Sequence, residues 1–402
     1  MERTEIFVSE EKLRANIGEV KSRLREGTEL IAVLKGNAYG HGIDTVMPVL
    51  VDEGIESFAV SDWEEGFLVK QCFLDLKFAE LSEQGIEPLD ESSLPRPNII
   101  ILNDVCKGDW PAVVSAGLIP SIGSLESARE LSEAAVQRDE TAVFHLKIET
   151  GMNRYGFRDD EEGVRQILEV LKLPKLELGG MFTHFARADE AKAAPAEKQL
   201  KRLLAMKERL EAEGVKVPFV HTSNSPAVLL HPELGMDGVR VGDALYGLCP
   251  VDESVWPVQN LQEILTWKSY VAHVHTVKAG ETIGYGGSFK ATHDMVVATI
   301  PVGFADGFSR ELSNCGFAAI RGQKVPIVGK VCMSAFMVDV TALSEAAAAA
   351  ETCPVRRGDE VELLGEHCTI LEMADLLDRN VDEIVCGLKE SISRTAVDWE
   401  ER

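Results

Sequence analysis

The sequence predicts a (β/α)8 barrel of TIM type followed by a smaller, mostly β C-terminal domain, an α/β fold overall. Two observations predict it. From residue 5 to about 245, short apolar runs rich in β-formers alternate with stretches of helical periodicity. After about residue 256 that periodicity fades, and short strands punctuated by Gly and Pro take over. A chain of 402 residues accommodates one large domain and one small one. The expected boundaries are 11–255 for the barrel and 256–402, together with residues 1–10, for the β-rich domain. A doubly wound sheet is the competing fold, but it calls for a Gly-rich phosphate turn after its first strand, which is absent.

Taken in order, Ser9 suits the N-cap of a helix whose apolar positions Leu13, Ile17, Val20 and Leu24 share one face. The barrel strands read as apolar runs at 30–34, 57–60, 98–102, 118–121, 142–148, 178–183, 217–221 and 237–241. Helical stretches such as Ser124–Val136 and Lys198–Glu213 separate them. Residues 73–97, with Pro88, Pro95 and Pro97, read as an inserted excursion. In the second domain the strands are expected at 268–278, 295–302, 317–320, 325–331, 336–341 and 359–364. Helical signals close the chain at Thr369–Leu377 and Asn380–Leu388.

The charge balance narrows the partners. With 41 basic against 66 acidic residues the net charge is −25, which repels nucleic-acid phosphates and anionic lipid. The opening Met-Glu-Arg-Thr-Glu-Ile has no apolar core of an export signal, and no apolar run approaches a membrane span. A cytoplasmic protein is therefore expected. The eight cysteines lie far apart, with no C-x-x-C and no zinc-type His spacing. Scattered buried thiols in a reducing compartment are expected, with no metal site.

In a parallel barrel, reactive groups collect at the C-terminal strand ends. Lys35 stands there, after Leu30-Ile31-Ala32-Val33-Leu34. By itself a solvated lysine is the plainer reading of such a residue. The continuation Gly36-Asn37-Ala38-Tyr39-Gly40-His41-Gly42 changes this. Together, Ala32 to Gly42 resembles the cofactor-lysine signature of the alanine racemase family, pyridoxal-phosphate enzymes of fold type III. Further blocks carry the same resemblance in order. They are His145 to Arg154, Thr183 to Glu190, His221 to Ser225 and Arg240 to Gly247 in the barrel. In the β domain they are Gly284-Tyr285-Gly286, Gly303 to Gly307 and Val331 to Ser334. Only 73–97 and the last dozen residues fall outside the match.

The resemblance implies racemisation of a small amino acid, L-alanine to D-alanine and back, feeding D-alanine to cell-wall synthesis. It gives Lys35 the pyridoxal 5′-phosphate and the D-enantiomer's proton, and Tyr285 the L-enantiomer's. An amine of ordinary pKa about 10.4 and a phenol near 10 both need help from their surroundings to serve as bases. Arg240 matches the arginine that faces the cofactor's ring nitrogen, and His184 the histidine expected to hydrogen-bond that arginine. Tyr39, Ser225 and the N–H of Gly242 are implied phosphate ligands, with Asn224 framing the site. Ser225 also suits a helix N-cap before Pro226. Arg154 and the backbone N–H of Met333 are implied for the substrate carboxylate, and Lys147 is a candidate for carbamylation. Because Lys35 and Tyr285 fall in different domains, the resemblance implies a head-to-tail homodimer with shared sites.

Three positions depart from the family pattern. Phe304 lacks a hydroxyl usual there, Ser334 replaces an aspartate, and Lys389 or Glu390 falls where a tyrosine beside the phosphate is expected. These leave open a racemase of the same fold acting on serine or on a larger polar or cationic amino acid. A cofactor-carrying protein without catalysis is the remaining alternative, but such proteins lack a β domain and a counterpart of Tyr285.

Overall fold

The computed structural model describes residues 3–85, 94–248, 260–349 and 353–398. Its first strand, β1 (Thr4–Ser9), precedes the barrel in sequence but lies in the sheet of the second domain. Ser9 then caps the helix Glu10–Ser22, accepting from the N–H of Lys12, and Leu13, Ile17 and Val20 are buried on its inner face. Eight parallel strands come next: β2 (Glu29–Val33), β3 (Ser57–Val60), β4 (Asn98–Ile101), β5 (Ile119–Ile122), β6 (Ala142–Glu149), β7 (Leu176–Phe182), β8 (Val220–His221) and β9 (Gly238–Val241). They pair in the ring β5-β4-β3-β2-β9-β8-β7-β6, and β6 closes back on β5. A closed sheet wrapped by helices buries both faces of each strand. This is why these strands read as continuous apolar runs rather than alternating ones.

The second domain is built from a six-stranded sheet, a three-stranded sheet and a hairpin. β1 pairs antiparallel with Leu265–Tyr270 and parallel with Arg394–Val397. The three-stranded sheet joins His273–Val277, Met295–Ile300 and Phe336–Asp339. Asn16 bridges the units: its amide donates to the carbonyls of Leu245 (3.1 Å) and Gln262 (2.9 Å) and accepts from the Gln262 N–H.

Some expectations shift. The expected boundary at 255/256 lies outside the described residues. The segment 73–97 is not wholly an excursion, because the helix after β3 runs unbroken from Trp63 to Glu83, with Phe73 and Leu74 buried on its inner face. The single expected strand 268–278 is two, broken at Val271-Ala272. Of the seven described cysteines only Cys368 is buried, while Cys106, Cys315, Cys353 and Cys386 are exposed, so these thiols are free but not core residues. No described helix is long and apolar enough to cross a membrane.

Candidate active site

The turn after β2 organises the mouth of the barrel. Gly36, Asn37 and Ala38 hold left-handed backbone angles, and Tyr39 (φ 52°) and Gly40 (φ 77°) continue the turn. For the residues with side chains this costs on the order of 1 kcal/mol each. Several contacts over-determine the turn. A Glu65 carboxylate oxygen accepts from the N–H of Gly36 (2.5 Å) and Asn37 (3.2 Å), and its other oxygen accepts from Ser61 (2.8 Å). Asn37 Oδ1 in turn accepts from the N–H of Ile43 (2.8 Å). The turn sets Lys35 at the rim with its Nζ 5.4 Å from the centroid of the buried Tyr39 ring.

A cavity of ≈ 500 Å³ opens there. Lys35, Tyr39, Arg154, His184, Asn224, Ser225, Arg240 and Gly242 all line it, joined by Asp243 and Asp382. On one side Ser225 Oγ accepts from the N–H groups of Gly242 (3.1 Å) and Ala244 (3.4 Å). A Cβ on Gly242 would lie 2.5 Å from Tyr39 Oη, so only glycine admits the phenol and the backbone to the same small space. Hydroxyls and amides converging on such a cradle suit a phosphate. Asn224, not Ser225, is the N-cap of the helix Ser225–Leu230, accepting from Ala227 (3.4 Å), and this leaves the Ser225 hydroxyl to the cradle.

On the other side Arg240 is buried within β9, and burial, aided by Arg154, pushes its guanidinium down to about 9, still charged at neutral pH. Its Nη2 donates to the Thr183 carbonyl (2.8 Å), and its Nη1 lies 2.9 Å from His221 Nδ1. The histidine bonded to Arg240 is therefore His221, correcting the expectation for His184. The reason is geometric. His221 ends β8, whose register sets it opposite Gly238 of the arginine's own strand, whereas His184 lies beyond the end of β7 and faces the cavity.

Because Arg240 must donate, His221 Nδ1 accepts, and its Nε2–H is directed to His145 Nδ1 2.9 Å away. Both rings are neutral: burial, then Arg240, lowers His145 to about 4 and His221 well below its ordinary value. Burial and the surrounding cations, Arg240 first among them, likewise keep His184 neutral.

Lys147 is 1% exposed, its Nζ donating to the Ile148 carbonyl (3.3 Å), and burial, then Arg240, brings its amine down to about 7. Tyr285 and Met333 do not line this cavity. They stand on the β domain, 69% and 63% exposed. Glu390 does not line it either. It is exposed, its backbone carbonyl accepting from Arg394 (2.9 Å). The carboxylates at the cavity are instead Asp189, Asp243 and Asp382. Sequence reasoning gave no role to His221, Asp243, Glu65 or Asp382. The first two stand inside the matching blocks, but Glu65 has no signal beyond being an acid in a helix's first turn.

The described residues fit pyridoxal 5′-phosphate: an amine at the rim, a hydroxyl and amide cradle on one side, and a charged guanidinium on the other. Comparison with known proteins gives the same answer. The model of the alanine racemase N-terminal domain matches residues 8–250, and that of the C-terminal domain matches 264–396, so the match extends into the last dozen residues, beyond the final sequence block. The chain is 34% identical to the alanine racemase of Halothermothrix orenii over 389 residues, covering 95% of this chain and 93% of that one. It is 36% identical to that of Symbiobacterium thermophilum over 386 residues, covering 95% and 94%. Among solved structures, alanine racemase from Clostridium difficile superposes with a TM-score of 0.86 at 31% identity, covering 99% of this chain and 97% of that one. That from Bartonella henselae, with covalently bound pyridoxal phosphate, gives 0.79 at 25%, covering 99% and 100%. By its whole length and both of its domains, the chain belongs to the alanine racemase family.

Proposed function

We propose that this chain is a pyridoxal-phosphate-dependent isomerase that interconverts L-alanine and D-alanine by two bases, Lys35 and Tyr285. The observation that carries this reading is the convergence of Lys35, Tyr39, Ser225, Arg240 and Gly242 on one cavity at the barrel mouth. Relatives that match over nine-tenths of both chains are alanine racemases, which supports the substrate. A cytoplasmic enzyme supplying D-alanine for cell-wall synthesis is part of this proposal.

When bound, the cofactor supplies the electron sink that lets an amino acid's Cα–H leave at neutral pH. Lys35 Nζ would hold the cofactor, and the same amine would serve as a base toward the substrate's Cα. Tyr39, Ser225 and the Gly242 N–H would hold the phosphate, Asn224 would frame it, and His184 would stand on the cavity wall beside the cofactor. Arg240 would face the ring nitrogen and keep its own proton, because a guanidinium stays charged. That moderates electron withdrawal and favours return of the proton to Cα over side reactions. Arg154 steadies the substrate carboxylate, joined by the Met333 N–H of a second copy. In the L-to-D direction the Cα proton passes to the Tyr285 oxygen, and Lys35 returns a proton to the opposite face. The D-to-L direction reverses both transfers.

The reading needs Tyr285 to arrive from another subunit, in a head-to-tail homodimer. Its support is the exposed apolar face that carries Tyr285, Phe304 (43% exposed) and Met333. The face is one unit: Phe304 and Ala305 donate to the carbonyls of Cys332 and Met333, each at 3.0 Å, and Gly284 packs against Lys330. Lys147 is the carbamylation site in this reading. A buried amine lowered to about 7 is about half neutral near pH 7; the neutral form attacks carbon dioxide and gives its proton to solvent, and the product charge suits the neighbouring Arg240 and Arg154. Intact mass before and after mild acid checks it; a mass that does not drop on acidification removes the modification.

The decisive test is Lys35→Ala beside Tyr285→Phe, scored by chiral analysis of products from alanine, serine and lysine. Lys35→Ala is expected to lose the absorption of lysine-bound cofactor and the activity together. Tyr285→Phe is expected to cripple proton exchange from L-alanine far more than from D-alanine. Equal, mild losses on both sides would assign the second base elsewhere.

A further inference from the structure

Asp243 lies between Gly242 and Ala244, the two residues whose N–H groups converge on Ser225 Oγ. It lines the cavity with Lys35, Tyr39 and Ser225. Its Oδ1 is shut off from solvent and has no hydrogen-bond partner, while the carboxylate leans back on its own backbone N–H. A buried carboxylate oxygen without a partner is costly, and a second anion brought beside it is costlier still. The proposed function brings a phosphate to this cradle. A carboxyl group that keeps its proton turns the conflict into a hydrogen bond, O–H to phosphate oxygen.

We infer that Asp243 meets the cofactor's phosphate as a protonated acid, donating to a phosphate oxygen and so coupling cofactor capture to the uptake of one proton. The inference rests on the phosphate site proposed above. The groups around Asp243 are consistent with it. Burial and then Asp382, across the cavity on the helix Val381–Cys386, raise its carboxyl to about 7, and Lys35 opposes them. Tyr39, Tyr246 and Cys386 complete the titratable surroundings: burial holds both phenols in their neutral form, and partial desolvation of the sulfur, then Asp382, raises the thiol of the otherwise exposed Cys386 to about 11. Among the described residues, Lys35 is the cation that acts on Asp243. Below about pH 7 the acid is ready to donate. Above it a proton must be captured as the phosphate enters, so affinity falls as pH rises.

The test uses the full-length protein freed of cofactor and the probe pyridoxine 5′-phosphate, which has no aldehyde and forms no bond to Lys35. Its Kd is measured from about pH 6 to about pH 9 for the native protein, Asp243→Asn and Ser225→Ala, by fluorescence or calorimetry. The asparagine amide donates without titrating, and dividing the native Kd by that of Asp243→Asn cancels the probe's own ionisation. The ratio is expected to rise about tenfold or more across the range, with proton uptake in calorimetry that Asp243→Asn abolishes. A ratio independent of pH overturns the role of Asp243. Ser225→Ala tests the underlying site separately. It is expected to weaken the probe at every pH, and an unchanged affinity would remove the phosphate from this cradle whatever Asp243 does.

Discussion

At the scale of single residues, the site depends on groups that never touch substrate. Glu65 is the clearest. Its two carboxylate oxygens take three backbone N–H groups, two of them from the left-handed turn that carries Lys35. Charge-assisted bonds to backbone amides are the strong kind, and here they offset the strain of Asn37, Ala38 and Tyr39 at positive φ. Removing the carboxylate leaves those amides unpaired and lets the turn relax, which moves Lys35 Nζ. Glu65→Ala is therefore expected to keep the cofactor bound but lower kcat by roughly tenfold to a hundredfold, the size of effect a misplaced reacting group produces. Glu65→Gln, which keeps one acceptor oxygen, should recover part of the loss. A kcat unchanged in Glu65→Ala would show that the turn holds its shape without the clip.

At the scale of elements, the helix Val381–Cys386 of the second domain buttresses the same turn from below. A Cβ on Gly40 would lie 2.1 Å from the Val385 carbonyl oxygen, and the residue's φ of 77° disfavours any side chain. Gly40→Ala combines both penalties, on the order of 3 kcal/mol. Gly54→Ala, at φ 74° with nothing within 4 Å, carries only the backbone term of about 1 kcal/mol. Thermal unfolding should show the larger Tm loss for Gly40→Ala, and equal losses would mean that the helix yields to the added methyl.

This contact also marks what sequence could and could not tell. The eight barrel strands were legible because each lies in a short run of mostly apolar residues, a local property. Lys35, Ser225, Arg240 and Gly242 were legible because they sit in contiguous blocks at strand ends. The pairing of β1 with Arg394–Val397 was not, since it joins segments at opposite ends of the chain. Nor was the choice between His184 and His221 as the partner of Arg240, because strand register decides which ring faces the arginine. Lys389 or Glu390 read as the residue beside the phosphate, yet Glu390 is exposed and does not line the cavity, where Asp243 stands instead.

At the scale of the whole molecule, one chain holds the parts of the proposed two-base site without bringing them together. Lys35 lines the barrel cavity, while Tyr285 stands exposed on the β domain beside Phe304 and Met333, an apolar face that a lone monomer would leave to water. In a head-to-tail dimer each site takes Lys35 from one subunit and Tyr285 from the other. That arrangement makes a prediction no single-chain site can satisfy. Lys35→Ala and Tyr285→Phe proteins, each crippled alone, are mixed under conditions that allow subunits to exchange. Half the resulting dimers then carry one of each, with both defects gathered in one site and the other site intact. Racemisation should return to about a quarter of the native rate, at a speed set by subunit exchange and in proportion to the mixed dimer resolved by native mass spectrometry. If both residues served one site within a single chain, every site in the mixture would keep a defect. Activity would then stay at the level of the separate variants however long they were mixed.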